Sequence, residues 1–354
     1  MKVYKYRYGT QRDLNSLKDD YFYAPHPSRL NDPFENLFLE DQIHHQIELL
    51  EKTYAQDVAN LKDCVNNLCN KIREKVGIYS LSKTAMHELL WAYYADSHAG
   101  FCIEYDLEKL MEWTSSSISL DVMYQDVAPK LDLKKLLNND NKSFQKLLQY
   151  TSGTKSTSWA HEQEIRIVTD NYGRVQYDFR AVKAIYFGLR MPKTIQDLSS
   201  QNEELPETAA KVCQEQVMEE LQGRGIKYYQ IELEPNSYRF NCIEIEDLYK
   251  DGTKYKDTLK FIDKSCIDYN GYAWDVSSDY FDKVAEIIRR DPYFDYLNSI
   301  AISTYQSEIR NEPIIFASFY KNKEDIIPIK IYFNLDEIDN VYRRLGLNEK
   351  SPLS

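Results

Sequence analysis

A chain of 354 residues, 43% of them apolar, is long enough to bury a substantial interior and too long for one ordinary small core, which predicts a soluble globular protein of two domains. A net charge of −12 argues against nonspecific binding to a phosphate backbone, an affinity that clustered Lys and Arg supply by releasing counterions. There is no run of eighteen uncharged apolar residues, and the start, Met1-Lys2-Val3-Tyr4-Lys5-Tyr6-Arg7, lacks the apolar core of a signal peptide, so a cytoplasmic location without a membrane partner is expected.

In chain order, the alternation from Val3 to Arg7 reads as a strand and Leu14 to Leu17 as a short helix. Tyr21-Phe22-Tyr23-Ala24 is strand-like, and Asn31-Asp32-Pro33 after it has turn chemistry. Helical spacing from Ile43 to about Val76 ends at Gly77, where Ile78 to Ser82 begins a strand. A helix over Glu88 to Ala95, a turn, and a strand over Phe101 to Tyr105 come next, with Asp106 capping a helix that holds Leu107, Leu110 and Met111. A strand near Val122 to Tyr124 and a Lys-rich helical region to about Tyr150 follow, in which Lys130, Lys134 and Lys135 read as a solvated helix face. The stretch around Glu162 to Arg166 reads as a strand, then come a strand Ala184 to Gly188, a helix from about Thr208 to Gln222 and a strand Tyr228 to Leu233.

Composition shifts to Asp, Gly, Lys and Tyr near Lys250 to Lys264, which sets a boundary between a first domain, 1–250, and a second, 251–354. The second reads as a small α+β unit: a helix from Tyr280 to Arg290, a helical Tyr296 to Ser307, strands Pro313 to Tyr320 and Ile326 to Phe333, and a last helix from Leu335 closed by Gly346.

Three separated stretches carry chemistry-bearing residues: Arg7 on the first strand, Ser80 and Ser82 on a middle strand, and Glu162 and Glu164 on a later one. On a strand, Glu162, Glu164 and Arg166 project to one face; two like charges there raise a pKa unless a cation compensates, and Arg166 is placed to do so. A solvated sheet surface explains the same pattern. The six cysteines (Cys64, Cys69, Cys102, Cys213, Cys242, Cys266) have no paired short spacing, so reduced thiols are expected rather than a disulfide framework or zinc ribbon. His98, Cys102 and His161 with a carboxylate are conceivable metal ligands, but no recognised ligand spacing occurs, nor a phosphate-binding glycine string.

Tyr4-Lys5-Tyr6-Arg7, Leu30-Asn31-Asp32-Pro33-Phe34-Glu35, Trp91-Ala92-Tyr93-Tyr94-Ala95 with His98-Ala99-Gly100-Phe101, the block from Lys155 through Trp159 to Arg166, and Ile185 to Arg190 resemble the signature blocks of a widespread bacterial domain family of unknown function, over roughly residues 1–250. The order of arginine, hydroxyls and paired glutamates also resembles the ADP-ribosyltransferases with arginine, serine-threonine-serine and glutamate-x-glutamate motifs. This chain has Leu81 where that class has threonine, a long helical insertion before Ser80 and a long stretch before Glu162.

That second resemblance implies an α+β fold with a split, mostly antiparallel sheet and inserted helices, and NAD as co-substrate. It implies that Arg7 holds the pyrophosphate, that Ser80 and Ser82 orient Glu164 and the nicotinamide ribose, that Glu164 stabilises the oxocarbenium-like transition state, and that Glu162 activates the acceptor. Tyr23 or Phe34 would stack on the nicotinamide ring, and Asn31 would position substrate. Trp91, His98, Lys155, Trp159, His161 and Arg166 are further candidates. The setting implied is a bacterial toxin or phage-defence effector acting on a protein or nucleic-acid acceptor, with the second domain engaging a regulatory partner. Two other functions fit the residues: a noncatalytic binding or sensor module, and a metal-dependent nuclease that uses Glu162 and Glu164 with Lys155 nearby.

Overall fold

The computed structural model describes residues 1–32, 34, 45, 48, 70, 74–112, 117–127, 148–198, 206–250, 260–291, 293–321, 325–345 and 347. Most of the predicted helix from Ile43 to Val76, Pro33, the lysines at 130, 134 and 135, Gly346, and most of the domain boundary lie outside them. The chain separates into two compact units, Met1–Gly252 and Thr253–Ser354. Both mix helices with sheets that are mostly antiparallel.

The first unit is built on an eight-stranded sheet. Its strands are β1 (Lys2–Arg7), β3 (Gly77–Ser82), β4 (Phe101–Asp106), β5 (Ile118–Asp121), β8 (Glu164–Thr169), β10 (Val182–Phe187), β11 (Lys227–Leu233) and β12 (Phe240–Ile245). They run in the order β12-β11-β10-β4-β1-β3-β8-β5, with β10 and β11 the parallel pair. Two short pairs flank it: β2 (Tyr21–Ala24) with β9 (Gly173–Gln176), and β6 (Met123–Tyr124) with β7 (Thr154–Lys155). Alternation drives these strands. Val3 on β1, Tyr79 and Leu81 on β3, Ile103 on β4 and Ile165 and Ile167 on β8 join one buried cluster, while Tyr6, Trp91, Cys102 and Tyr186 join a second.

One seam of the sheet is barely closed. β1 pairs along its whole length with β4, and β3 pairs along its whole length with β8. Between β1 and β3 the register holds only Tyr4 opposite Ser82. The far end of β1 is fixed instead by β4: a Cβ on Gly100 would stand 2.0 Å from the Arg7 carbonyl oxygen, so glycine is required for that close approach.

Outside the site, two predicted elements differ. The helix expected from Thr208 is Gln214–Glu220, because residues 210–212 are drawn into extended pairing with the start of the chain: Gln11 N–H donates to Ala210 O, Val212 N–H donates to Gly9 O, and Thr10 bridges Lys211. In the second unit Tyr296–Ile302 is a strand, β13, followed by the helix Thr304–Arg310. β13 pairs with β14 (Ile314–Tyr320), which pairs with β15 (Ile329–Asn334), and the helices Ser278–Ile288 and Leu335–Arg344 share the core with this sheet. A register shift between Leu297 and Ser299 puts Leu297 and Ile300 on the same buried side, a three-residue spacing that imitates a helix.

Among the described residues no helix is long and apolar enough to cross a membrane. The described cysteines, Cys102, Cys213, Cys242 and Cys266, are free thiols.

Candidate functional site

Where β1 and β3 part, the first unit holds a hollow of about 410 Å³. Lys5 and Arg7 of β1, Ser80 and Ser82 of β3, Lys155, Glu162 and Glu164 line it together, with Asn31 and Tyr94 among the remaining walls. Because Tyr4 lies opposite Ser82, Lys5 and Arg7 stand on the same side of the sheet as Tyr79, and Ser80 and Ser82 on the other. The hollow therefore collects side chains from both faces of a gapped sheet.

The carboxylate wall differs from its sequence-level picture. Glu164 opens β8, but Glu162 ends a 3₁₀ turn, Thr157–Glu162, and Gln163 between them is left-handed with φ 45°. The expectation that both glutamates sit one step apart on a strand is thus corrected: a kink, not strand alternation, brings them together. Ser82 pins that kink, its Oγ donating to the Glu162 carbonyl at 2.8 Å. Lys83 N–H donates to Gln163 O, and the Tyr124 hydroxyl accepts from the Glu164 N–H at 2.8 Å.

Every charge on this wall has a partner. Lys155 Nζ donates to Glu162 Oε2 at 2.5 Å and to Glu164 Oε2 at 3.3 Å. Arg166, fully buried, forks onto Glu164 (Nε to Oε1 2.9 Å, Nη2 to Oε2 3.1 Å) and sends Nη1 to the Ser152 carbonyl at 2.8 Å. Burial alone would raise the Glu164 carboxyl. Arg166, then Lys155, and hydrogen bonds from Arg166 and Ser80 outweigh it and hold the group well below the usual carboxylate range. The Tyr94 hydroxyl donates to Glu162 Oε1 at 2.6 Å.

The opposite wall is cationic and open. Lys5 Nζ donates to the Ser80 carbonyl at 2.7 Å and lies 4.8 Å from the centre of the Tyr79 ring. Burial, then the neighbouring Arg7 guanidinium, push its ammonium down from 10.5 to about 7 against the pull of Glu164, Glu162 and Asp13. Arg7 donates through Nη2 to the Tyr79 hydroxyl at 3.2 Å, while its buried Nε has no hydrogen-bond partner among the described residues. Arg12, from the helix Gln11–Lys18, and Arg29, from the turn Pro27–Arg29, complete the rim. Asp13 beside them is occupied in the capping box of its own helix with Thr10.

Of the residues singled out from sequence, Arg7, Asn31, Ser80, Ser82, Lys155, Glu162 and Glu164 line the hollow, and Arg166 braces it from behind. Tyr23 and Phe34 do not line it; both are exposed, and Tyr23 faces Arg174 across the β2–β9 pair. Trp91 is a core residue whose indole N–H donates to Ala85 O at 2.7 Å. His98 shapes the turn before β4 with φ 74°. Trp159 lies 4.6 Å from the Lys155 ammonium and stacks on His161, outside the lining. Sequence reasoning passed over Lys5, Arg12, Arg29 and Tyr94. Lys5 had a usable signal, since alternation puts it on the Arg7 side of β1; the others come from separate segments and had none.

Residues 90–167 match a family model described as a protein of unknown function, DUF2971. That span includes Tyr94, Lys155, Glu162, Glu164 and Arg166 and leaves out β1 and β3, so it covers the carboxylate wall and not the cationic one. No curated protein and no solved structure matches the chain.

Proposed function

We propose that the hollow binds NAD and cleaves its nicotinamide glycosidic bond, passing ADP-ribose to an acceptor, as the resemblance to ADP-ribosyltransferases implies. One observation carries this reading: Arg7, Ser80, Ser82, Glu162 and Glu164, drawn from three distant stretches of sequence, line a single nucleotide-sized cavity. Charge supports it too. Five cationic side chains (Lys5, Arg7, Arg12, Arg29, Lys155) against three acidic ones (Asp13, Glu162, Glu164) line the hollow of a chain whose net charge is −12, which suits an anionic ligand.

In this reading Arg7 takes the pyrophosphate. The Glu164 carboxylate, kept ionised by Arg166 and Lys155, faces the ribose and stabilises positive charge as the bond to nicotinamide breaks. Glu162, one oxygen on Tyr94 and the other on Lys155, accepts the proton of the acceptor, so the balance is NAD plus acceptor to ADP-ribosyl acceptor, nicotinamide and a proton. The same ion pairs favour a second reading, a noncatalytic binding module, because Lys155 and Arg166 already neutralise both glutamates.

Nicotinamide release from NAD separates the two. Glu164→Gln should lower the rate roughly 10²–10³-fold, and Arg7→Ala should raise KM. Equal release by wild type and Glu164→Gln would retire the enzyme reading. Cleavage of DNA or RNA that appears only with magnesium would favour a nuclease, for which, among the described residues, no three His, Cys, Asp or Glu side chains gather as a metal site.

A further inference from the structure

The cationic wall is electrostatically incomplete. Among the described residues no carboxylate forms an ion pair with Lys5, Arg7, Arg12 or Arg29, in contrast to Lys155 and Arg166 across the hollow. Two cations two residues apart on one side of a strand repel each other; Asp13, whose carboxylate is engaged in its own helix cap, offsets this from a distance, and the direct contacts are a backbone carbonyl and a tyrosine ring and hydroxyl. A buried guanidinium nitrogen with no acceptor sits in the same wall. An arrangement of this kind is completed by a multiply charged anion with several acceptor oxygens.

We infer that Lys5, Arg7, Arg12 and Arg29 seat the diphosphate diester of a dinucleotide-like ligand, and that seating it draws a proton onto Lys5. This deepens the NAD reading by assigning the ligand's charged portion to one wall, and it adds a proton linkage that cleavage chemistry does not require. The groups that set the Lys5 proton face it from every side. Arg7 on its own strand disfavours the charge; Asp13 from the first helix and Glu162 and Glu164 from the carboxylate wall favour it. Of the remaining lining cations, Arg12, Arg29 and Lys155 add to the repulsion, and Tyr79 and Tyr94 stay protonated near neutral pH because burial raises both. With its ordinary charge change moved to about pH 7, Lys5 is largely neutral in the empty protein at pH 8.5. Two phosphate charges alongside reverse the balance and restore its proton.

ADP-ribose is the probe, because its pyrophosphate is a diester with no titration near neutral pH and it carries no nicotinamide. Titration calorimetry at pH 8.5 in buffers of different ionisation enthalpy should show most of one proton taken up per ADP-ribose bound. Affinity should fall roughly tenfold per pH unit from pH 7.5 to 9. Lys5→Arg, which keeps a permanent charge, should retain binding while abolishing both the uptake and the pH slope. Arg12→Ala and Arg29→Ala should each weaken binding about tenfold with the uptake intact. Absence of ADP-ribose binding, binding without proton uptake, or uptake that survives Lys5→Arg would each overturn the inference. Inertness toward NAD with proton-linked ADP-ribose binding would sink only the catalytic reading, and NAD turnover without the linkage would sink only this one.

Discussion

The two walls of the hollow handle charge in opposite ways. On the β8 side, Glu164, Arg166, Lys155, Glu162 and Tyr94 form a closed set in which each ionised group meets a partner at hydrogen-bond distance. On the β1 side, Lys5 and Arg7 share a tyrosine, and among the described residues Arg12 and Arg29 at the rim form no ion pair. Compensated charge holds its own geometry, whereas like charges held together store unfavourable energy that a ligand of opposite sign releases on binding. The comparison separates a wall that rests on internal order from one that, in the proposed reading, an anionic ligand would complete.

The sharpest way to break the contrast is to remove a partner from the closed wall. Arg166→Leu leaves the buried Glu164 carboxylate with Lys155 and the Ser80 hydroxyl but without its forked guanidinium, and should lower stability by about 3–5 kcal/mol in denaturant unfolding. The Glu164 contribution is fully present above its ordinary value of 4.5 and is lost as pH falls toward its lowered one, so the variant should also flatten the acid limb of the stability profile. A wild-type profile in Arg166→Leu would mean that the wall does not depend on this pair.

Lys5→Met should act with the reverse sign. Lys5 is depressed in the fold, so between about pH 7 and 10.5 the unfolded chain holds a proton the folded chain lacks, and stability rises with pH across that window. Below it the penalty is complete, and the substitution should stabilise by roughly 1–4 kcal/mol at pH 6, with the gain gone near pH 10.5. Thermal melts at three pH values suffice, and a uniform loss of stability would contradict a strained cationic wall. Least of all, Arg12→Ala and Arg29→Ala should change stability by no more than about 0.5 kcal/mol, their effect being confined to binding.

Much of the central sheet was legible because β1, β3, β4, β10 and β11 alternate cleanly or run apolar between turn residues. β13 was not, because the bulge near Leu297 converts a period of two into an apparent helical spacing. The helix expected from Thr208 lost its first turns to backbone pairing with Gly9 and Gln11, about two hundred residues away in sequence and invisible to any local pattern. In the site, Arg7, Ser80 and Glu164 could be nominated from residue type and order. The convergence of Lys155 on both glutamates could not, since it depends on the left-handed Gln163 and on the β6–β7 pair. Arg12 and Arg29 lie on segments with no shared periodicity, and only tertiary folding makes them neighbours.

The sparsely paired seam has an evolutionary corollary. Two strands that touch at Tyr4 and Ser82 and then part leave their facing edges outside the ladder, so, in the proposed reading, a visitor to the hollow would meet main-chain groups common to every amino acid as well as side chains. Recognition of that kind survives sequence drift, and related chains could retain the same guest after exchanging most of the residues around it.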